Sequence, residues 1–387
     1  MCLPTEESRL NPSVLHVYKT YFPDPPGGMQ QAIRQVTLST TAEGLKNTIF
    51  TLSPQPVPSL LVQPEAQIFR SRSWLAPASC DIGGTAAFAD FSRLARDSDI
   101  LHYYFPWPFA DVLDAAINSS RPAVLTYVSD VVRQRVLGAA YRPLMWRTLR
   151  KMRVIVASSS AYVNSSSILS HPEIRAKVRV IPFGIEENSY PKHGDDSIIQ
   201  RLGLESGEPF FLFVGVLRYY KGLPFLVRAA KNIGARIIVA GTGPEGAKLH
   251  SLVTEMALKN VVFAGQVTEA EKISLIRQCR AVILPSHLRS EAYGMVLVEA
   301  AMLGRPLISC EIGTGTSYIN LHEKTGLVVA PGAPEKLKEA MNILLKDDHL
   351  AARMGAAARE RYEQNFSGTA LGRAYAALFR EVAQANC

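Results

Sequence analysis

Short runs of aliphatic, β-branched and aromatic residues recur along the chain, separated by longer stretches with apolar positions every three or four residues. The runs predict strands at residues 14–18, 48–52, 100–104, 123–128, 154–158 and 178–182. A second series follows at 210–215, 236–240, 261–264, 281–285, 307–310 and 327–330. Several show no alternation, the pattern of a strand buried on both faces of a parallel sheet. Helical spacing fills the intervals, for example at 28–37, 223–232 and 335–345. It returns at 369–385, where Leu371, Tyr375, Leu378, Phe379 and Val382 form one core-facing stripe. Repeated β–α alternation predicts α/β architecture with doubly wound sheets.

The alternation breaks at 186–208, a polar stretch containing Pro191 and Gly194 that reads as a linker followed by one helix. At 387 residues the chain suits two domains rather than one. The predicted layout is two Rossmann-like domains, 1–188 and 189–365, facing a central cleft, with a final segment, 366–387. In open parallel sheets ligands bind beyond the carboxyl ends of the strands.

Composition narrows the class. With 47% hydrophobic and 20% charged residues the chain is an ordinary globular protein, neither disordered nor fibrous. No apolar run approaches the roughly 18 residues of a spanning helix. The N-terminal residues are polar and lack a secretory layout. Cys2, Cys80, Cys279, Cys310 and Cys387 are odd in number and far apart, which argues against a disulfide framework and for a reducing cytoplasm. The net charge of +8 divides evenly, with 19 basic against 15 acidic residues in 1–190 and 23 against 19 in the rest. Locally it does not: between Asp130 and Glu173 there is no acid, while Arg133, Arg135, Arg142, Arg147, Arg150, Lys151 and Arg153 fall there.

Four loops after predicted strands carry chemistry. Gly27-Gly28 opens a helix, where free N–H groups suit an anion; the pair also suits a tight turn after Pro25-Pro26. Gly215, Arg218 and Lys221-Gly222 place two cations at the end of an apolar strand, where they either meet phosphate or coat the surface. Gly241-Thr-Gly-Pro-Glu-Gly246 spells a G-x-G-x-x-G, but after the second strand of its half and without an acid at the next strand end, where Gln266 stands. The fourth loop, residues 290–300, holds Glu291 and Glu299 with seven residues between them, and Tyr293, Gly294, Met295 and Val296 at a helix start. A carboxylate accepts from paired sugar hydroxyls. Glu299, flanked by Val296, Leu297, Val298, Ala300 and Ala301, needs a partner in so apolar a helix.

Together, in this order, these pieces resemble the retaining GT-B glycosyltransferases of family 4 over essentially the whole chain. The stretches VLHVYKTYFPDPPGG, HYYFPWPFAD and SEAYGMVLVEAAMLGRPLISCEIGTGTSY look closest to bacterial mannosyl- and rhamnosyltransferases of O-antigen or exopolysaccharide synthesis. The resemblance implies a nucleotide-sugar donor, GDP-mannose or a GDP-deoxyhexose, and a polyprenyl-diphosphate-linked saccharide acceptor. It assigns 1–188 to the acceptor, 189–365 to the donor, and the last helix to packing on the N-terminal domain. Arg218 and Lys221 would neutralise the diphosphate. Glu291 would contact the donor sugar near Gly294 and Met295, Glu299 the ribose, and Gly27 and Gly28 the diphosphate. No cofactor or metal is implied, since cations and helix ends neutralise the leaving group. Asp195-Asp196 and Asp347-Asp348 read as solvated linker or helix-end acids.

Two positions depart from the family pattern. Family members carry histidines where this chain has Tyr104 and Val128; His102 remains, as a catalytic candidate or a structural histidine, with Tyr104 and Asp130 as acceptor candidates. The basic segment 131–153, with Arg133, Arg142, Trp146 and Arg147, suits either the inner face of the plasma membrane or packing as a surface helix. Nucleic acid fits poorly, because aromatic platforms are not interleaved with the cations. The alternatives are a catalytically weak nucleotide-sugar-binding partner of another transferase and, on the G-x-G-x-x-G alone, an NAD-dependent oxidoreductase.

Overall fold

The structure, a computed structural model, describes residues 11–24, 28–76, 80–130, 135–205 and 207–385. The chain divides into two compact units, Met1–Gly184 with Gly368–Cys387, and Ile185–Ser367. No helix among the described residues is long and apolar enough to cross a membrane.

The first unit is built on a nine-stranded sheet: β1 Ser13–Val17, β2 Lys46–Ser53, β3 Leu60–Gln63, β4 Ala66–Leu75, β5 Ile82–Gly83, β6 Ile100–Phe105, β7 Ala123–Tyr127, β8 Val154–Ala157 and β9 Val178–Val180. Its order is β3-β4-β2-β1-β6-β7-β8-β9, with β5 pairing β4. Pairing is parallel except at β3–β4 and β4–β5. The apolar runs at β1, β6, β7 and β8 are buried along almost their whole length, as the uninterrupted pattern requires. The helix Gly368–Gln384 places Leu371, Tyr375, Leu378, Phe379 and Val382 in one cluster with Val14, Val36, Ile100, Val124 and Val156 of this unit.

Three strands, β3, β4 and the two-residue β5, escape the sequence pattern. β3 reads Leu-Leu-Val-Gln yet is largely exposed, a run of only four residues without a buried face. β4 buries Arg70, whose guanidinium donates to Ser53 Oγ at 2.8 Å and to the Gln55 carbonyl at 3.0 Å and pairs with Asp24. A buried arginine held through its two terminal nitrogens looks like a surface residue in the sequence.

The second unit carries a six-stranded, all-parallel sheet: β10 Phe210–Val214, β11 Arg236–Ala240, β12 Val261–Gly265, β13 Ala281–Leu284, β14 Leu307–Cys310 and β15 Gly326–Val329. The order β12-β11-β10-β13-β14-β15 is that of a doubly wound Rossmann sheet. The segment expected to be a linker belongs to this unit. It is a strap rather than a solvated tether. Ile185 N donates to the Phe366 carbonyl at 2.8 Å, and Glu187 pairs with Arg359. Asp196 Oδ1 accepts from Ser274 at 2.7 Å and Gln278 at 2.8 Å. Asp347 caps the helix Asp348–Asn365, and Asp348 pairs with Arg280. These acids are exposed and lie at helix ends, as expected, and each of the three also has a partner within the unit.

Candidate active site

The second sheet reverses its winding between β10 and β13, and its crevice lies beyond their carboxyl ends. The loop after β10 carries Arg218 and Lys221; the loop after β13 carries Ser286 and Glu291. His287 N donates to the Tyr220 carbonyl at 3.0 Å, joining the two loops. Gly222 has φ +70°, and a Cβ there would lie 2.0 Å from the Pro285 carbonyl oxygen, so only glycine allows this approach. Lys221 Nζ pairs with Glu291 Oε2, which also accepts from Ser286 Oγ at 3.1 Å. Both side chains are largely buried, with 14% and 10% exposed. Glu291 Oε1 accepts nothing from the described residues. Arg218 is exposed, and its guanidinium has no ion-pair partner among them.

Gly294, in the left-handed region at φ +93°, caps the helix Met295–Met302. Tyr293 and Glu299 are buried; Met295 and Val296 are half-buried at the helix start. Glu299 Oε1 accepts from Tyr190 OH at 2.9 Å and from Lys272 Nζ at 2.9 Å. Burial opposes the charge on Lys272, but Glu299 and Glu269 more than offset it and hold the ammonium above its ordinary value. Sequence reasoning missed Lys272 and Tyr190. The signal was present: an acid in an apolar helix demands a cation, but no spacing rule names which distant lysine supplies it.

The loop after β11 lies against the loop after β10. Leu217 N donates to the Thr242 carbonyl at 2.9 Å, and Glu245 N to the Leu217 carbonyl at 3.0 Å. Gly241 has φ +127°, and a Cβ there would sit 2.1 Å from the Gly215 carbonyl oxygen. A Cβ at Gly243 would meet the Leu217 backbone at 2.6 Å. These glycines therefore serve loop-to-loop packing at the strand ends.

In the first unit Gly28 begins the helix Gly28–Ala42 with open space around it; Gly27 and Arg133 lie outside the described residues. His102 and Tyr104 are 0% and 1% exposed. The catalytic and acceptor expectations for them meet a packed interior, for a reason of strand parity. Residues 102 and 104 share one face of β6, and the ring of Phe379, from the helix Gly368–Gln384, stands 5.3 Å from that of His102. His16 on β1 is in register with His102. Nδ1 of the two rings lie 3.2 Å apart, and Tyr104 OH lies 3.0 Å from His16 Nδ1. His16 Nε2 meets Asn47 Oδ1 at 2.9 Å; His102 Nε2 meets Thr126 Oγ1 at 2.7 Å, which meets Tyr375 OH at 3.0 Å. The acceptors assign the protons: His16 carries Nε2–H, His102 carries Nδ1–H, and both rings are neutral. Burial pushes His16 down to about 4 against its bond to Asn47. Burial, then His16, pushes His102 well below its ordinary value.

Asp130 Oδ1 accepts from Tyr127 OH at 2.9 Å and Ser166 Oγ at 2.6 Å, which ties it to its own unit. The basic helix Arg135–Lys151 is paired with acids of this unit. Arg147 and Lys151 face buried Asp114 at 3.7 and 2.8 Å, and Arg150 meets Glu173 at 2.9 Å. Asp111, one turn from Asp114, accepts from Tyr141 OH, and burial raises it to about 7. Trp146 packs edge-on against His171 and under Arg150, while Met145 and Leu149 are buried. The packing role expected for this helix is thus observed; Arg142 is exposed and unpaired among the described residues. No group of three or more His, Cys, Asp or Glu among the described residues could hold a metal ion.

Residues 195–361 match the family described as Glycosyl transferases group 1, and residues 26–189 match Glycosyltransferase Family 4. The D-rhamnosyltransferase WbpZ of Pseudomonas aeruginosa is 42% identical over 354 residues, 92% of each chain. The O-antigen chain mannosyltransferase C of Escherichia coli is 39% identical over 366 residues, 95% of this chain and 97% of that one. Among solved structures, the sucrose-phosphate synthase of Thermosynechococcus elongatus superposes with a TM-score of 0.78 at 21% identity, covering 97% of this chain and 100% of that one, a likeness of fold. With matches over both units and relatives spanning nearly the whole chain, the protein belongs to the family 4 glycosyltransferases of GT-B fold, related to O-antigen mannosyl- and rhamnosyltransferases.

Proposed function

We propose that the chain transfers mannose or a related deoxyhexose from a GDP-sugar to a polyprenyl-diphosphate-linked saccharide, with retention of anomeric configuration and without metal. The observation that carries this reading is the Lys221–Glu291 pair beside the unpaired Arg218, at the point where the β10–β13 winding reverses. Arg218 offers a planar fork to the diphosphate, and Lys221 adds a point charge. Both stabilise the departing nucleoside diphosphate, whose negative charge grows as the glycosidic bond breaks. Glu291 Oε1 accepts from donor sugar hydroxyls, and the N–H groups at the start of Met295–Met302 face the phosphate. Glu299 takes a ribose hydroxyl. The acceptor hydroxyl attacks from the face the nucleotide leaves, within an ion pair, as the C1–phosphate oxygen bond breaks, and passes its proton to the departing phosphate oxygen, so no protein nucleophile is needed. The two long relatives, a D-rhamnosyltransferase and an O-antigen chain mannosyltransferase, favour mannose and deoxyhexose donors. Arg142 remains available to an anionic membrane surface.

Binding without turnover is the competing reading, favoured by the burial of His102 and by Tyr104 and Val128 at positions where the family pattern often has histidine. The experiment is incubation with GDP-mannose or GDP-rhamnose, EDTA and a synthetic lipid-diphosphate saccharide, followed by NMR of the product. A product with the donor's anomeric configuration supports transfer. Nucleotide binding with no product from any donor supports the competing reading.

A further inference from the structure

Glu299 is held in an unusual way. Lys272 Nζ and Tyr190 OH both bond the same oxygen, Oε1, each at 2.9 Å. No described residue bonds Oε2. The clamp is itself fixed: Lys272 lies 5.3 Å from the centre of the Tyr190 ring and pairs with Glu269 at 2.9 Å. Lys272, Tyr190 and Glu299 are all less than a tenth exposed. A buried ion pair is weak evidence of stabilisation, because desolvation cancels most of its attraction. A carboxylate locked through one oxygen, with the other unclaimed, is instead the geometry of a pre-oriented acceptor.

We propose that Lys272 and Tyr190 are positioning residues that occupy Oε1 of Glu299 and reserve Oε2 for a ribose hydroxyl, making the site selective for ribonucleotides over deoxyribonucleotides. This rests on the donor site proposed above. The hydroxyl donates to a charged acceptor that is already oriented, on a side chain with only 11% of its surface exposed. A nucleotide lacking it leaves Oε2 buried and unpaired, so discrimination arises from the missing bond. Neither Lys272 nor Tyr190 touches the nucleotide; both act through Glu299.

The test is calorimetric titration of the full chain with GDP, 2′-deoxy-GDP and 3′-deoxy-GDP. It compares wild type, Tyr190→Phe, Lys272→Met and Glu299→Gln, and each of the first two variants combined with Glu299→Gln. Wild type should prefer GDP over one deoxy analogue by about 10- to 100-fold, the span of one hydrogen bond to a charged group. Tyr190→Phe and Lys272→Met should each shrink that ratio several-fold, and neither should change it further when Glu299 is glutamine. Tyr190→Phe removes a single oxygen and keeps the test open should Lys272→Met fail to fold. A wild-type preference that survives in both single variants overturns the positioning role and leaves the donor site standing. Tighter GDP binding in Lys272→Met also overturns it, since the lysine would then be masking Glu299. Absence of binding of GDP, UDP or ADP to wild type overturns the donor reading and the clamp with it.

Discussion

Lys221 and Glu291, seventy positions apart in sequence, form an ion pair at the crevice where the winding of the second sheet reverses. In this structure each neutralises the other. On the proposed reading a donor divides them, taking the ammonium with its diphosphate and the carboxylate with its sugar. The two residues should therefore respond differently to substitution. Glu291→Gln frees the ammonium and should leave nucleoside diphosphate affinity unchanged or tighter, while lowering transfer rate at least about 100-fold. Lys221→Ala should weaken nucleoside diphosphate binding about 10- to 100-fold. It also leaves a carboxylate buried and unpaired, at a cost of about 3 kcal/mol in stability. Calorimetry and thermal melts read both; equal losses of nucleotide affinity in the two variants contradict the division of roles.

Arg218 separates binding from stability. It is exposed and has no ion-pair partner among the described residues, so Arg218→Ala should leave the melting temperature within about 1 °C, since surface changes stay within about 0.5 kcal/mol. Nucleoside diphosphate affinity should still fall about 10-fold or more. A large drop in melting temperature would assign Arg218 a structural role instead.

Gly241 tests the strand-end packing beneath the site. A methyl group there would meet the Gly215 carbonyl oxygen at 2.1 Å on a backbone at φ +127°, and neither can yield without moving a strand end. Gly241→Ala should cost about 2–4 kcal/mol, lowering the melting temperature by roughly 5–15 °C. A change under about 2 °C shows that the loop relaxes freely.

The buried histidines and Asp111 make opposing demands on pH. His16, at about 4, and His102, well below 6.5, stay neutral when folded, whereas an unfolded histidine titrates near 6.5. Below about pH 6.5 the unfolded chain gains two protons that the folded chain refuses, so stability falls with acid. Asp111 is raised from 3.8 to about 7; its contribution is full below about pH 4 and lost as pH rises toward 7. Two protons against one leave a net loss near 1.4 kcal/mol per pH unit between pH 6.5 and 5. Asp111→Asn should steepen that acid loss in urea midpoints, and His102→Gln should flatten it. An acid slope identical in all three proteins would show that these groups are not held as described.

The second unit was legible because its strands are buried on both faces and its loops follow them at short range. Gly215, Lys221, Glu291 and Gly294 fall where the pattern expected them, at strand ends and a helix start. The partners of those residues were not legible. Lys272 and Tyr190 reach Glu299 from a helix and a strap whose local sequence is ordinary surface. His102 shows the converse limit. Its strand was readable, but which face of β6 would be covered depends on a helix more than 260 residues later in the chain. The β3–β4 pair was missed because β3 is a four-residue apolar run that stays exposed, and because β4 interrupts its apolar positions with charged ones, buried Arg70 among them.

The central claim is that the β10–β13 crevice binds a nucleotide-sugar through Lys221, Arg218, Glu291 and Glu299. Calorimetric titration of the purified chain with GDP, UDP and ADP in EDTA tests it most directly, with Lys221→Ala and Glu299→Ala alongside. One selective site for GDP, at least about 10-fold weaker in both variants, is the predicted result. At 100-fold saturation such a site should add about 2.7 kcal/mol of stability to wild type. Binding that is indifferent to both substitutions, or no binding of any of the three nucleotides, would contradict the account.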